Sequence, residues 1–296
     1  MTARGADIES IFRRKIRVTS IVDDLLKQKN IRLDMLRLDL IHPQISGNKW
    51  FKLKYSVQEA QLLKCAAILS FGGAYSNHLH ALAYVSKQIG IPTIGIVRGE
   101  KVQNPTLNDC VNWGMQLQFV SRNDYKLRND LSYLHKLRQQ FSNTLIIPEG
   151  GNNEAGRKGC LDILQHVDLR MYTHICSPVG SGATLNGLIE SSLSTNKILG
   201  FSAMKNAYDI EETVKQFTTK NNWQIIHDYH FGGFAKTTDE LAQFMQKFEQ
   251  QQHIELDKVY TAKMCFGLYT MIQKEQIPLG SSLLILHTGG LQGNRS

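Results

Sequence analysis

In "HPQISGNKWFKLKYSVQEAQ", residues 42–61, Lys49 directly follows Gly47-Asn48 and opens a segment with the apolar spacing of an amphipathic helix. If Asn48 caps that helix, Lys49 falls in its first turn, where the positive end of the helix dipole opposes an ammonium charge. The opposition lowers the lysine pKa and leaves more free amine, the form that condenses with an aldehyde to a Schiff base. Position alone favours an ordinary surface lysine over this reading.

The run "VGSGATLNG", Val179 to Gly187, invites two phosphate readings. A dinucleotide fingerprint needs glycine at position 185, where the chain has Leu185, and "KILGFSAM" ends without an acidic residue to hold a ribose. A nicotinamide cofactor is therefore disfavoured. As a phosphate cup the run works, because successive backbone N–H groups leading into a helix need only small residues and a hydroxyl. A plain strand-to-helix turn would use the same glycines. "GNNEAGRK", residues 151–158, is not a P-loop, since Arg157 and Lys158 replace the required Lys and Ser or Thr. His78 and His80 are two apart, no H-E-x-x-H occurs, and no G-x-S-x-G elbow exists, so neither a metal site nor a common hydrolase is expected.

From residue 65 onward short β-rich runs alternate with helical patterns, from "CAAILSFGG" and "HLHALAYVSKQIG" to "SSLLILHTGG". Such alternation implies βαβ units and an α/β fold of mainly parallel sheets flanked by helices. Ligands of such sheets collect at the carboxyl ends of strands. Five strand ends carry glycine or small polar residues: Phe71 to His78, Pro148 to Asn152, Pro178 to Thr184, Phe231 to Gly233 and His287 to Gly290.

The chain has 296 residues, with a hydrophobic share of 42% and a charged share of 20%, as soluble globular proteins do. It shows no bilayer-length apolar run, and "MTARGADIESIFRRKIRV" lacks the apolar stretch of a secretory signal, so a cytoplasmic protein without a membrane partner is expected. Five widely spaced cysteines without a C-x-x-C pair read as free thiols. The net charge of +8 is spread along the chain, with one cluster, "RRKIR" at 13–17, that reads as a solvated face rather than a nucleic-acid arm.

Together, Lys49, the glycine cup and "HTGG" resemble the pyridoxal-phosphate enzymes of the tryptophan synthase β-subunit fold (fold type II). Within these the chain is similar to the D-cysteine desulfhydrase and 1-aminocyclopropane-1-carboxylate deaminase family, from "SGNKWFKLKY" to "HTGG". The resemblance implies pyridoxal 5'-phosphate as cofactor, with Lys49 carrying it as a Schiff base. It implies that Ser76 of "YSNH" contacts the substrate carboxylate and assists proton transfer, with Asn77 against the cofactor's phenolic oxygen and His78 beside the substrate. Val179, Gly180, Ser181, Gly182, Ala183 and Thr184 would hold the phosphate, and Thr288 the pyridine nitrogen. The "SNH" loop differs from the S-G-N-T-G loop of cysteine synthases, which favours β-elimination over β-replacement.

Two aromatic positions of that family bear on the substrate. Phe234 stands where members usually place a tyrosine, and Tyr260 in "DKVYTAK" takes the second position. Lys258 and Ala262 depart from the usual D-P-V-Y-x-G pattern, while Thr261 is the residue typical of the desulfhydrases. The resemblance thus implies a lyase that takes D-cysteine to pyruvate, sulfide and ammonia, with Lys49, Ser76 and Tyr260 as catalytic groups. The alternatives are a 1-aminocyclopropane-1-carboxylate deaminase and a cofactor-binding protein with little catalysis. A homodimer with a small amino acid substrate and no nucleic-acid partner is expected. Two α/β units would flank the cofactor, a smaller one over 52–155 and a larger one from 1–51 plus 156–296.

Overall fold

The computed structural model describes residues 16–295. Most of the "RRKIR" cluster, residues 13–15, and the stretch read for a secretory signal up to residue 15 lie outside the described residues. In chain order the first elements are β1 (Arg17–Ile21), α1 (Asp24–Gln28), β2 (Arg32–Arg37), α2 (Lys49–Leu62), β3 (Ala67–Gly72), α3 (Asn77–Ile89) and β4 (Thr93–Arg98). Next come α4 (Pro105–Asn112), β5 (Met115–Val120), α5 (Arg122–Lys126), α6 (Leu131–Gln140), β6 (Thr144–Ile147), α7 (Glu154–Cys160), β7 (His174–Val179) and α8 (Ala183–Ser191). The chain ends through β8 (Lys197–Ser202), α9 (Asp209–Lys215), β9 (Trp223–Ile226), α10 (Asp239–Gln252), α11 (Thr261–Gln273) and β10 (Ser282–His287).

The expected α/β class with mainly parallel sheets holds. A four-stranded sheet, order β5-β4-β3-β6, is parallel throughout. A six-stranded sheet, order β1-β2-β10-β7-β8-β9, is parallel except for β1, which pairs antiparallel with β2. Strand β10 shows why both faces are covered. Leu283 and Ile285 enter one apolar cluster and Leu284 and Leu286 the other, the period-two alternation of a strand buried on both sides. In each sheet the functional loops leave neighbouring strands: β3 and β6 in the smaller, β7 and β10 in the larger.

Helix α2 ties the sheets together. Its Trp50, Leu53, Val57 and Ala60 pack with Ile68 and Leu79 over the small sheet, whereas Phe51 joins Cys160 and Leu188 under the large one. The helix is continuous through residues 51 and 52, so both cores share one rod. Gly159 on α7 lets that helix touch α2 backbone to backbone, since a Cβ there would lie 1.8 Å from the Phe51 carbonyl oxygen. One expected strand end is corrected. β9 stops at Ile226, and Phe231-Gly232-Gly233 forms a left-handed turn with φ of 52°, 89° and 118°. Buried Lys263 of α11 pins that turn by donating to the His230 and Gly233 carbonyls at 2.8 and 2.7 Å.

All five cysteines are free, and all but Cys65 are buried. No helix among the described residues is long and apolar enough to cross a membrane.

Candidate active site

Lys49 is the first residue of α2, as its position predicts, but Asn48 does not cap the helix with its side chain. Asn48 has helical backbone angles and its amide is committed elsewhere: Nδ2 donates to Thr184 Oγ1 at 2.8 Å and Oδ1 accepts from Lys49 Nζ at 2.5 Å. One side chain thus joins the lysine to the glycine turn that begins 130 residues later. The Lys49 pKa falls from 10.5 to about 7, first because burial disfavours the ammonium and then because the Lys52 charge repels it, against an opposing pull from Asp257. Desolvation and a second lysine therefore do what the helix dipole was expected to do.

Lys52 was not singled out from the sequence. It follows Lys49 by three residues, so the two share a helix face, a like-charge spacing that costs stability unless an anion joins them. Lys52 is buried, its Nζ lies 3.4 Å from Ser181 Oγ, and burial lowers its pKa as well. It makes no ion pair with a carboxylate among the described residues.

The glycine turn has the form that a phosphate cup requires. Val179 ends β7, Gly182 takes a left-handed φ of 82° before α8, and Ala183 and Thr184 open that helix, buried. Gly180 lies under Tyr260, where a Cβ would come within 3.2 Å of the phenol oxygen. Gly150, in the loop after β6, faces Ser181 from the other side, at 3.5 Å from the position of its Cβ to Ser181 Oγ. Backbone amides, the Ser181 and Thr184 hydroxyls and an unpaired buried ammonium fit a phosphate dianion.

The loop after β10 closes the site. Gly47 has φ of 78°, and a Cβ there would lie 1.8 Å from the Thr288 carbonyl oxygen, which also accepts the Asn48 N–H at 3.3 Å. Thr288 is buried and its hydroxyl has no partner among the described residues. Asn77 meets this loop: its Oδ1 accepts from Gln292 at 2.6 Å, and Gly290 passes so near that a Cβ would lie 2.8 Å from Asn77 Nδ2.

Ser76 caps α3 by accepting the Leu79 N–H at 3.2 Å, which leaves its own O–H to donate. His78 lies beneath that turn rather than on it. It is 3% exposed, and its Nε2 is 2.9 Å from Ser70 Oγ, which donates to the Ile147 carbonyl at 2.8 Å. Nε2 must then carry the proton. Burial, with Lys49 and Lys52 nearby, drives the His78 pKa to about 3, so the ring is neutral at all working pH values.

Tyr260 precedes α11, and Asp257 fixes it there by accepting its N–H at 2.8 Å and that of Thr261 at 2.8 Å. Burial, with Asp257 and Glu149 adding charge, raises the phenol pKa, so Tyr260 stays protonated. Phe234 stands edge-on to Tyr260 with ring centroids 6.0 Å apart, and Thr261 is fully buried behind it. Contacts therefore link Lys49, Asn48, Thr184 and Thr288, Gly180 and Tyr260, and Asn77 and the loop after β10, with Phe234 against Tyr260 and His78 below the Ser76 turn.

Residues 16–289 match the pyridoxal-phosphate dependent enzyme family, and the chain belongs to that family. A Thermotoga maritima protein provisionally named 1-aminocyclopropane-1-carboxylate deaminase is 29% identical over 87% of this chain and 88% of its own. The Arabidopsis thaliana protein named bifunctional D-cysteine desulfhydrase/1-aminocyclopropane-1-carboxylate deaminase is 27% identical over 87% of this chain and 72% of its own. A crystal structure of an ACC deaminase homologue superposes with a TM-score of 0.83 at 22% identity, covering 100% of this chain and 97% of that one, so the fold is shared. The cofactor of the family is pyridoxal phosphate, and the residues described above fit it.

Proposed function

We propose that this enzyme is a lyase that eliminates sulfide from D-cysteine, releasing pyruvate and ammonia. The observation that carries the lyase reading is the pairing of Lys49, neutral above about pH 7, with an unpaired buried cation, Lys52, at the glycine turn. Bound there, pyridoxal phosphate supplies an electron sink for the pair left when a bond to the substrate's α-carbon breaks.

Lys49 Nζ would hold the cofactor covalently, and Lys52, Ser181 and Thr184 would hold its phosphate. Asn77 would donate to the phenolic oxygen and Thr288 would meet the pyridine nitrogen. A neutral Thr288 hydroxyl cannot keep that nitrogen protonated as a carboxylate would, which suits elimination better than chemistry needing a stronger sink. Ser76 would bind the substrate carboxylate through its O–H. Lys49 Nζ would take the α-proton, and the protonated Tyr260 phenol would donate to the leaving sulfur. His78 positions the turn from below through Ser70.

D-Cysteine is preferred because Thr261 follows Tyr260. The 1-aminocyclopropane-1-carboxylate reading has the relatives' names in its favour, and Phe234, lacking a hydroxyl, counts against it. Four buried free thiols fit a cytoplasmic setting. The test compares sulfide release from D-cysteine with 2-oxobutanoate release from 1-aminocyclopropane-1-carboxylate. Sulfide is expected to dominate, alongside a visible absorption band that borohydride abolishes and Lys49→Ala lacks. Keto acid from neither substrate, with the band present, would leave the cofactor reading standing and remove the lyase.

A further inference from the structure

The small sheet carries a second cavity, of about 510 Å³, that the chemistry above does not use. It lies at the carboxyl ends of β3 and β4, where parallel sheets collect ligands. One wall is the turn Gly73–Tyr75, directly before Ser76, and Gly73 holds that turn by accepting the Ser76 N–H at 3.0 Å. The opposite wall is basic: Arg98 from the end of β4, Arg122 and Lys126 from α5, and Arg128 just beyond it.

Only Arg128 of these four has a carboxylate against it, Glu149 at 2.6 Å. Arg98, Arg122 and Lys126 make no ion pair among the described residues, so three cations border a space about the size of a small-molecule pocket. The wall is also pre-shaped. Tyr125, 2% exposed, packs between two guanidiniums, with Arg98 5.7 Å and Arg128 5.1 Å from its ring centroid. Burial raises the Tyr125 pKa, and the Glu149 carboxylate beside the phenol raises it further. Two guanidiniums on this wall, Arg98 and Arg122, that no carboxylate neutralises among the described residues mark a place for an anionic acceptor.

We propose that this cavity binds a small molecule bearing phosphate or several carboxylates, against the outer side of the turn that presents Ser76. Arginine forks match either group bidentately, and a volume of about 510 Å³ suits a metabolite. No residue of the glycine turn lines this cavity, so it is to be probed in the cofactor-loaded enzyme, where pyridoxal phosphate would occupy that turn.

The experiment is calorimetric titration of holoenzyme with inorganic pyrophosphate and, in a second arm, citrate, at fixed ionic strength. Saturable binding of one probe is expected, and it should weaken about tenfold or more in an Arg98→Gln/Arg122→Gln double variant. Both arginines are exposed, so the fold should survive; the exposed Lys126→Gln variant gives a second reading and should weaken binding in the same direction. Arg170→Gln, whose partner is Asp168 on another surface, should leave the titration unchanged. Preference for pyrophosphate assigns a phosphate-bearing ligand, and preference for citrate a polycarboxylate. No saturable binding of either probe at millimolar concentration, or binding that the double variant leaves intact, overturns the proposal. Heat is the readout, so the answer does not depend on turnover of D-cysteine.

Discussion

The two sides of the site, which form its large-sheet and small-sheet rims, are built by different means. On the large-sheet rim backbones meet with no space between them: Gly47 against Thr288, Gly159 against Phe51, and Gly187 against Cys160, where a Cβ would lie 2.3 Å from the cysteine Cβ. On the small-sheet rim the turn from Gly73 to Ser76 hangs on hydrogen bonds, Ser76 N–H to Gly73 O at 3.0 Å and Asn104 Nδ2 to Ala74 O at 3.0 Å, with a cavity behind it. A rim that holds a covalent anchor and a phosphate tolerates little displacement, whereas a rim that sorts substrates can be adjusted residue by residue. The difference is testable because the same substitution should have unequal costs on the two sides.

The largest contrast is expected between Gly47→Ala and Gly73→Ala. At Gly47 a methyl group meets the Thr288 carbonyl and a φ of 78° that alanine resists, so the variant should lose about 2–4 kcal/mol and its cofactor band with it. At Gly73 the nearest atom to a new Cβ is Arg98 Nη2 at 3.6 Å, an ordinary contact, and denaturant unfolding should change by less than about 0.5 kcal/mol. Equal losses at both positions would erase the distinction between the rims.

Next in size is Lys52→Gln. The substitution removes the cation beside Ser181 and the repulsion that lowers Lys49. Cofactor affinity should fall by about 1.5–3 kcal/mol, read by equilibrium dialysis. The pH midpoint for covalent loading should move upward from about 7, since the neutral amine is the reactive form. In the cofactor-free protein Lys49 releases its proton at about 7, whereas the unfolded chain does so near 10.5. The unfolded state therefore binds more protons between these values, and stability rises with pH across that window.

These two predictions differ in how far the sequence anticipates them. The alternation of β-rich and helical runs is enough to place β3 to β8 and β10, because each strand is a short apolar run bounded by glycine or polar residues. The four-residue β9 and the antiparallel β1–β2 pair carry no such signal, and the Phe231–Gly233 turn shows that glycines alone do not mark a strand end. In the site, Lys49 stands out only when its place after Gly-Asn is read together with the glycine turn and "HTGG", and the cause of its low pKa is not legible at all. Lys52 and Ser181 are 129 residues apart in the chain, and Asn48 abandons capping for a partner 136 residues away. Contacts of that range depend on which helix faces which loop, and local propensity does not encode it.

On the adjustable rim, Ser76→Ala should cost about 1 kcal/mol through the lost cap on α3. If Ser76 also binds the substrate carboxylate, KM should rise while the absorption band and its pH midpoint stay as in the wild type. A band shift with unchanged KM would move Ser76 from substrate to cofactor.

The smallest effect is expected from Phe234→Tyr, and it bears most directly on the substrate. Phe234 is 48% exposed, its backbone turn is pinned by Lys263, and its ring already stands edge-on to Tyr260, so the added hydroxyl needs no rearrangement. A half-exposed hydrogen bond is worth about 0.5–1.5 kcal/mol, a few-fold to about tenfold in a rate ratio. Its sign carries the information. If the missing hydroxyl is what disfavours the cyclopropane substrate, the variant should gain 2-oxobutanoate release relative to sulfide release, with cofactor loading unchanged. If the ratio stays fixed, the aromatic pair is packing alone, and specificity must lie with Thr261 or with the turn that carries Ser76.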